Sequence, residues 1–327
     1  MPRWKRVGLA LVAVLGAAIA GFAVFVAARQ DLRFDHEVPP LGASSDPAVI
    51  ARGEYVVRKL ASCGVCHGDP ARLADSLKGD ATVPFSGGRT WTIPPGSFRA
   101  YNITSDRETG IGGLRDAQLV RALRYGIGRE GRVLLPFMEM QGLADDDLVA
   151  VISYLRTLPA VRNAVPPHEI NLLGRIVKAT LFAKPTGPKA PPPKVAPRGA
   201  SVETGRYLVE SVANCWACHT ERDLKTGEMV GPHLAGGHLE DEFEPTKRSW
   251  NAPNLTSDPK TGRTGQLTEE QFLLRMKAGR AYEASPMPWN NFAGLDDDDL
   301  RAIYRYLRTV PRVTREAGPP VVELTRP

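Results

Sequence analysis

The chain has 327 residues, of which 24% are charged and 43% hydrophobic, and its formal net charge is +6. These values are ordinary for folded protein, and the length suggests two domains. No dense Lys/Arg block and no basic–aromatic pattern is present, so we expect no nucleic-acid partner. A mildly basic chain suits acidic protein surfaces or anionic lipid.

The first residues predict a membrane segment. "MPRWKR" carries three basic residues, and the 22 residues that follow, 7–28, are uncharged. About 20 apolar residues span a bilayer as a helix, and a positive flank stays on the cytoplasmic side. Residues 1–28 are therefore predicted to anchor the chain in the inner membrane, with the rest in the periplasm. The alternative is a cleaved signal peptide, because "VAA" at 26–28 resembles a cleavage site, although the apolar stretch is longer than usual for one.

Long stretches of the chain occur twice, at a constant offset of 152 residues (215 − 63). "RGEYVVRKLASCGVCH" matches "TGRYLVESVANCWACH", and "NITSDRETG" matches "NLTSDPKTG". "GLADDDLVAVISYLRTLPAV" matches "GLDDDDLRAIYRYLRTVPRV". A repeat of this length indicates two copies of one domain, which we place at residues 47–162 and 200–314.

Within each copy the pattern predicts helices joined by long loops. A first helix leads into the cysteine residues, and a last helix begins with a run of aspartates, at 145–147 and 296–299. Acidic residues suit the positive end of a helix, and Pro159 and Pro311 end these two helices. No alternating strand-like run competes, so the predicted fold class is all-α. Three short helices enclose a thin core, so another group is expected to fill the centre.

Residues 163–199 are predicted to be a linker. The prolines of "KPTGPKAPPPKVAPR" favour an extended, semi-rigid spacer. Just before it, "INLLGRIVKATLFA" has apolar residues at helical spacing. This short helix either packs on the first domain or lies on the membrane as an interfacial helix.

All four cysteines belong to two identical C-x-x-C-H motifs, which is the attachment pattern of c-type haem. Two thiols on one helical turn can form thioethers with the vinyl groups of a porphyrin, and the next residue points its imidazole at the iron. The sequence therefore predicts two covalently bound haems c. The attachment residues and proximal ligands are Cys63, Cys66, His67, Cys215, Cys218 and His219.

Three other uses of these cysteines are weaker. Zinc ligand pairs are usually separated by far fewer residues. A redox C-x-x-C pair needs a βαβ setting, which the pattern does not predict. Structural disulfides suit an exported protein but do not explain a histidine after both pairs.

A sixth iron ligand is expected from methionine. Met138 follows His67 by 71 residues, and Met287 follows His219 by 68. Both precede the acidic start of the last helix, on a loop that can cover the far haem face. Met140 is an alternative to Met138, since methionine is otherwise a common core filler.

With these motifs each half resembles a class I c-type cytochrome domain. The "NITSD", "MP" and "DDDL" segments resemble more narrowly the cytochrome c subunits of membrane-bound alcohol, aldehyde and gluconate dehydrogenases. The resemblance covers roughly residues 47–162 and 200–314. Those subunits commonly carry three haem modules, whereas this chain has two motifs and an N-terminal apolar segment.

The resemblance also implies roles for other residues. Pro84 and Pro232 match the proline whose carbonyl orients the proximal histidine, a contact that fixes the imidazole. Asn102 and Asn254 are placed near the haem propionates, with simple turn chemistry as the alternative. Contacts with the last helix are expected for a second set: Gly53, Tyr55, Gly205 and Tyr207.

Two functions follow from the expected ligands. His/Met ligation saturates the iron and suits electron transfer. The predicted function is a membrane-tethered dihaem carrier that passes electrons in the periplasm from a dehydrogenase to a terminal oxidase or another cytochrome. The alternative is a dihaem peroxidase-like enzyme with one substrate-accessible haem, whose distal polar group would be His168, His233 or His238.

Overall fold

The computed structural model describes residues 2–135, 137–223, 227–240, 248–281 and 285–323, and contains thirteen α-helices within them. The helices of the first half and linker are α1 (Arg3–Ala28), α2 (Pro47–Tyr55), α3 (Cys63–His67), α4 (Leu73–Leu77), α5 (Asp116–Tyr125), α6 (Asp145–Thr157) and α7 (Leu172–Thr180). Those of the second half are α8 (Val202–Tyr207), α9 (Trp216–His219), α10 (Arg263–Gln266), α11 (Glu269–Lys277), α12 (Trp289–Ala293) and α13 (Asp297–Leu307).

The N-terminal helix α1 is long and apolar enough to cross a membrane. It has 26 residues, its most apolar 18-residue window has a mean hydropathy of 2.7, and Val26 is its one buried residue. A signal sequence near the N-terminus can pass the same test of length and hydropathy. The structure therefore agrees with either of the two interpretations of this segment.

In each half the first helix packs against the last, α2 on α6 and α8 on α13. A glycine allows the close approach in both cases. A Cβ atom at Gly53 would lie 1.9 Å from the carbonyl oxygen of Ala150, and one at Gly205 would lie 1.9 Å from that of Ala302. Real Cβ atoms do not approach backbone oxygens so closely, so both positions require glycine. The expected contact of these glycines with the last helix is confirmed.

Two small antiparallel sheets accompany the helices, and the all-α prediction did not include them. Their orders are β1-β2-β3 and β4-β5-β6. In the register Trp91 lies opposite Phe98, and Leu239 lies opposite Trp250. The strands are β1 (Thr90–Ile93), β2 (Gly96–Arg99), β3 (Glu169–Ile170), β4 (Gly237–Glu240), β5 (Arg248–Ala252) and β6 (Val321–Glu323).

Strands β3 and β6 extend the repeated unit. They come from the segments that follow α6 and α13, beyond the expected domain ends at residues 162 and 314. Strand β3 pairs with β2, and β6 pairs with β5. After its last helix, each half thus returns to its own sheet.

The proline-rich linker docks on the start of α6. The backbone N–H groups of Asp145 and Asp146 donate to the carbonyls of Pro193 (2.9 Å) and Lys194 (3.1 Å). In return the Asp146 carboxylate accepts from the N–H of Ala196 (2.9 Å). The first amides of a helix have no partner within it, and here the linker supplies one. The linker is therefore a fixed connection along α6.

The two halves hold each other through a reciprocal pair of tyrosines. The hydroxyl of Tyr55 donates to Asp299 (2.7 Å) and accepts from the N-cap amide of α13 (3.0 Å). The hydroxyl of Tyr207 donates to Asp147 (2.8 Å) and accepts from the N-cap amide of α6 (3.0 Å). Each tyrosine was expected to contact the last helix of its own half. The structure corrects this, because both hydroxyls bond to the last helix of the opposite half.

Apolar side chains of the two halves join in one continuous core, which supports the same arrangement. Burial of this shared surface stabilises the contact between the halves. Members from the first half include Val56, Leu60, Leu148 and Ile152, and members from the second include Leu208, Val212, Leu300 and Ile303.

Candidate haem-attachment sites

Both C-x-x-C-H motifs are presented by the same local geometry. A π-helical segment continues the first helix of each half, at Val56–Leu60 and Leu208–Val212. One residue in the left-handed region then turns the chain, Ser62 (φ 51°) in the first half and Asn214 (φ 49°) in the second. The motif follows directly on α3 or α9. π-Helical turns often occur at functional sites, and these two lie 152 residues apart (208 − 56).

The two thiols of each motif lie in different surroundings. Cys63 and Cys215 are half-buried against the core, whereas Cys66 and Cys218 are exposed. Burial raises the pKa of the Cys63 and Cys215 thiols to about 12. A reactive redox cysteine instead has a lowered pKa, so the geometry argues against that use. One thiol at the core and one at the surface fit a flat macrocycle that lies across the edge of the domain.

A zinc site finds no support in the described part of the chain. Within those residues no group of three or more His, Cys, Asp or Glu side chains is arranged to hold a metal ion. The two cysteine pairs lie in separate halves, so they do not form the four-thiolate shell of structural zinc.

Each proximal histidine is oriented by a backbone carbonyl. Nδ1 of His67 lies 2.7 Å from the carbonyl oxygen of Tyr101, and Nδ1 of His219 lies 2.8 Å from that of Pro253. Donation from Nδ1 makes Nε2 the nitrogen that can bind iron. Burial lowers the pKa of both histidines, which favours the neutral imidazole that metal ligation needs.

The expected role of Pro84 and Pro232 is therefore wrong. The carbonyl of Pro84 accepts from the N–H of Asp69 (3.1 Å), and the carbonyl of Pro232 accepts from that of Ala235 (3.2 Å). The second is a turn contact, whereas the first joins the residues after the motif to the loop that follows α4. The carbonyls that accept from the histidines belong to residues 34 positions after each histidine, immediately before the two "NxTSD" loops.

Asn102 and Asn254 hold those loops through hydrogen bonds. The amide of Asn102 donates to the carbonyl of Val161 (2.8 Å), and its oxygen accepts from the N–H of Thr104 (3.0 Å). Asn254 makes the equivalent bond to Val313 (2.7 Å). Both side chains are buried. The turn interpretation is thus the better one, and it has a consequence for the site: each asparagine fixes the backbone that carries the acceptor of the histidine.

The loop that carries Met287 is firmly held in the second half. The carbonyl of Met287 accepts from the N–H of Trp289 (2.8 Å) and from the guanidinium of Arg280 (3.4 Å). The guanidinium of Arg275 lies 3.8 Å from the centre of the Trp289 ring. Met287 packs against the core cluster that also contacts Cys215.

In the first half the fold separates the two methionine candidates. The N–H of Leu143 donates to the carbonyl of Met140 (3.2 Å), and that of Leu295 donates to the carbonyl of Phe292 (3.1 Å). Met140 thus makes the same turn contact as Phe292, 152 positions later (292 − 140), and packs against the core. A core role for Met140 leaves Met138, which is half-buried in the same loop, as the ligand candidate.

Each of the three spare histidines contacts a protein group. Nε2 of His168 lies 3.2 Å from the hydroxyl of Tyr101, the residue whose carbonyl holds His67. The other two contact protein groups of the second half: His233 lies 2.8 Å from Glu210, and His238 lies 3.0 Å from Asn251.

The reciprocal tyrosine contacts differ in their charges. Asp147 is fully buried and accepts from Arg52 (2.8 Å) and Arg198 (3.0 Å). Burial alone would raise the pKa of Asp147, but the two guanidinium groups outweigh it and hold that pKa below its usual range. At the equivalent Asp299, burial raises the pKa, and the bond from Tyr55 offsets only part of the effect.

Comparison with known proteins shows which protein family the chain is similar to. A family model described as Cytochrome c matches residues 202–311. The cytochrome c subunit of the alcohol dehydrogenase (quinone) of Gluconobacter oxydans (strain 621H) is 31% identical over 292 residues, which cover 82% of this chain and 56% of the relative. The fructose dehydrogenase cytochrome subunit of Gluconobacter japonicus is 30% identical over 290 residues, covering 83% and 54%.

A third relative matches over its whole length. The diheme cytochrome c-type protein of Cereibacter sphaeroides (strain ATCC 17023) is 29% identical over 332 residues, covering 96% of this chain and 100% of the relative. The chain thus spans about half the length of the two dehydrogenase subunits and all of the diheme protein.

Proposed function

Since the chain belongs to the c-type cytochromes and is related to cytochrome c subunits of dehydrogenases, we propose that it is a dihaem electron carrier. One haem c is attached through Cys63 and Cys66 and the other through Cys215 and Cys218. The iron would be held by His67 and Met138 in the first half and by His219 and Met287 in the second.

The bound haem supplies an iron that exchanges one electron, and the chain supplies the rest. The carbonyls of Tyr101 and Pro253 hold the histidines so that Nε2 faces the metal. The core side chains beside Cys63 and Cys215 exclude water from one edge of each site. A methionine thioether would be the second protein ligand of each iron, which suits electron transfer and would leave no position for a substrate.

Two tandem domains carry these sites. We place them at residues 47–162 and 200–314, extended by β3 and β6, with 163–199 as the linker.

The contact between the halves supports direct electron transfer between the two sites. Asn214, directly before the second motif, donates to the carbonyl of Glu139 (2.8 Å), which lies next to Met138 in the first half. Asn291, on α12 after Met287, donates to the carbonyl of Arg58 in the π-helical segment before the first motif (2.6 Å).

The proposed location is the periplasmic face of the inner membrane, with residues 1–28 as an uncleaved anchor. The length and hydropathy of α1 and the basic residues before it support this. The names of the relatives favour a dehydrogenase as electron donor. A terminal oxidase or another cytochrome is the proposed acceptor.

One observation supports the function most strongly. At both motifs the Nδ1 atom of the histidine meets the carbonyl of a residue 34 positions downstream, at 2.7 and 2.8 Å. Two sites with the same ligand geometry, 152 residues apart, are expected to bind the same group.

Counting haems tests it. A pyridine haemochrome assay on the denatured chain should give two covalently bound haems. The paired variants Cys63→Ser/Cys66→Ser and Cys215→Ser/Cys218→Ser should each give one. The oxidised protein should be low-spin. A wild-type count of one, or a dominant high-spin iron that turns over peroxide, would favour the enzyme alternative.

The anchor is tested separately. Membranes washed with high salt should retain the haem-stained band, and its N-terminal sequence should begin near Met1. Recovery of a soluble chain that begins at Arg29 would show that residues 1–28 are a cleaved signal, without affecting the haem count.

A further inference from the structure

Helix α7 turns its apolar side outward. Leu172 and Leu173 are 73% and 49% exposed, and Ile176 falls between them on a helix that turns about 100° per residue. Gly174 is buried on the opposite side, and Ala179 is buried at the C-terminal end of the helix, where its carbonyl meets Arg29. A surface helix of a water-soluble domain shows the reverse, with its apolar stripe facing the core.

The inward side of α7 is fixed by close packing. A Cβ atom at Gly174 would lie 2.2 Å from the carbonyl oxygen of Pro95. Asn171, at the N-cap, accepts from the N–H of Gly174 (3.0 Å) and donates to the carbonyl of Pro94 (2.7 Å). The helix therefore cannot rotate its leucines inward without losing these contacts.

The C-terminal half of α7 is bonded to the residues that follow α1. Arg29 donates to the carbonyl of Ala179 (2.8 Å), and Gln30 donates to the carbonyl of Arg175 (3.0 Å). Lys178 donates back to the carbonyl of Gln30 (2.6 Å). Arg29 directly follows the last residue of α1, so α7 is held at the point where a membrane-crossing α1 would leave the bilayer.

We propose that the apolar face of α7, formed by Leu172, Leu173 and Ile176, lies in the headgroup boundary of the membrane that α1 crosses. This inference rests on the proposed function, because it needs α1 to remain as an anchor. Lipid fits the face better than a protein partner does, because the exposed apolar surface of α1 lies next to it. Lys178 on the same helix suits anionic headgroups.

The contact of α7 would orient the first half on the membrane rather than raise the membrane affinity of the chain. A helix of nine residues buries too little apolar area to hold a protein on a membrane alone. Tethering by α1 gives it a high effective concentration at the surface, so even a weak contact forms. α7 is joined to β3, and β3 to the sheet of the first half. The contact would set the tilt of the first haem site relative to the bilayer.

Cysteine labelling of the full-length, haem-loaded chain tests this. In the holoprotein the four native cysteines are thioethers, so an introduced thiol is the one that reacts. Leu173→Cys and the control Arg175→Cys, on the exposed polar side, are compared in vesicles of mixed zwitterionic and anionic lipid with a charged maleimide. Labelling at position 173 should be about tenfold slower, because an apolar setting keeps the thiol protonated and excludes the reagent. Leu172→Cys should behave like Leu173→Cys.

The outcomes separate the two proposals. Equal labelling rates at positions 173 and 175, in protein that resists a salt wash, overturn the α7 contact and leave the anchor intact. Release of the chain by salt overturns the anchor itself. Protection that grows with the protein-to-lipid ratio assigns the face to a second copy of the chain and also overturns the lipid contact. Protection that does not change on dilution with lipid supports it.

Discussion

The two halves agree on the proximal side of each candidate site and differ on the distal side. Before each motif the same π-helical turn and left-handed residue occur, and each histidine meets a carbonyl 34 residues downstream. In contrast, Met287 is followed by the short helix α12, whereas α6 is the first helix after Met138. The histidine ligand needs one fixed orientation, and the same backbone geometry provides it in both halves. The distal loop also forms the contact between the halves, and the two loops are not equivalent there.

Substitution of the glycines at the two helix crossings should have the largest effect on stability, and it tests whether the two halves are equivalent. We expect Gly53→Ala and Gly205→Ala each to lower the free energy of unfolding by about 3 kcal/mol or more, because the new methyl group overlaps a backbone oxygen. Denaturant unfolding of the holoprotein, followed by haem absorbance, measures this. Gly187→Ala is the control, since its Cβ would approach no atom closer than 3.6 Å. A large loss in only one half would show that the two crossings are not equivalent.

The two aspartates at the tyrosine contacts, of which Asp147 is fully buried and Asp299 half-buried, should change the stability of the fold with pH in opposite directions. Asp147 has a lowered pKa in the folded protein, so it stabilises the fold above its unfolded pKa of about 3.9, and this is lost as the pH falls through the folded value. We expect Asp147→Asn to cost about 2 kcal/mol at neutral pH, because two arginines lose their partner.

Asp299 should respond in the opposite direction. Its raised pKa means that ionisation destabilises the fold at neutral pH, and that this cost is relieved as the pH falls through the raised value toward about 3.9. Asp299→Asn should therefore be neutral or stabilising at neutral pH and should lose that advantage in mild acid. Denaturant titrations of both variants across this range test the pair. Equal losses for both at neutral pH would contradict the assigned asymmetry.

The local features of this fold could be predicted from the sequence, and the long-range ones could not. Helices α6 and α13 begin at the aspartate runs and end before the prolines, because capping and helix termination depend on neighbouring residues. The strands have two to five residues and pair with distant segments, so they leave little periodic signal. The acceptors Tyr101 and Pro253 act through backbone carbonyls, which every residue type carries.

That the tyrosines have specific polar partners could have been predicted from the sequence. Tyr55 and Asp147 both recur at the offset of 152, as Tyr207 and Asp299. A polar residue that repeats inside an apolar helix face indicates a specific partner. Which half supplies that partner depends on how the two domains pack, and that is not encoded in the spacing.

The methionine variants sharpen the distal difference. We expect Met138→Ala and Met287→Ala each to remove half of the weak near-infrared sulfur-to-iron band of the oxidised protein, because each removes one thioether ligand. Met140→Ala, the matched control two residues from Met138, should keep the whole band and lose about 1 kcal/mol of stability, since Met140 packs against the core. Loss of the band in Met140→Ala would reverse the ligand assignment.

The smallest effect we expect is a difference in reduction potential between the two haems. His219 is buried at 7% exposure, whereas His67 is only half-buried. A less solvated iron disfavours the more charged ferric form, so the second haem should have the higher potential, by on the order of 59 mV for a tenfold difference in equilibrium constant. Spectroelectrochemical titration of the two single-haem cysteine variants assigns each value. The opposite order would mean that the distal loops outweigh proximal burial. The expected order directs electrons from the first domain, which follows α1, to the second, because transfer in that direction is downhill.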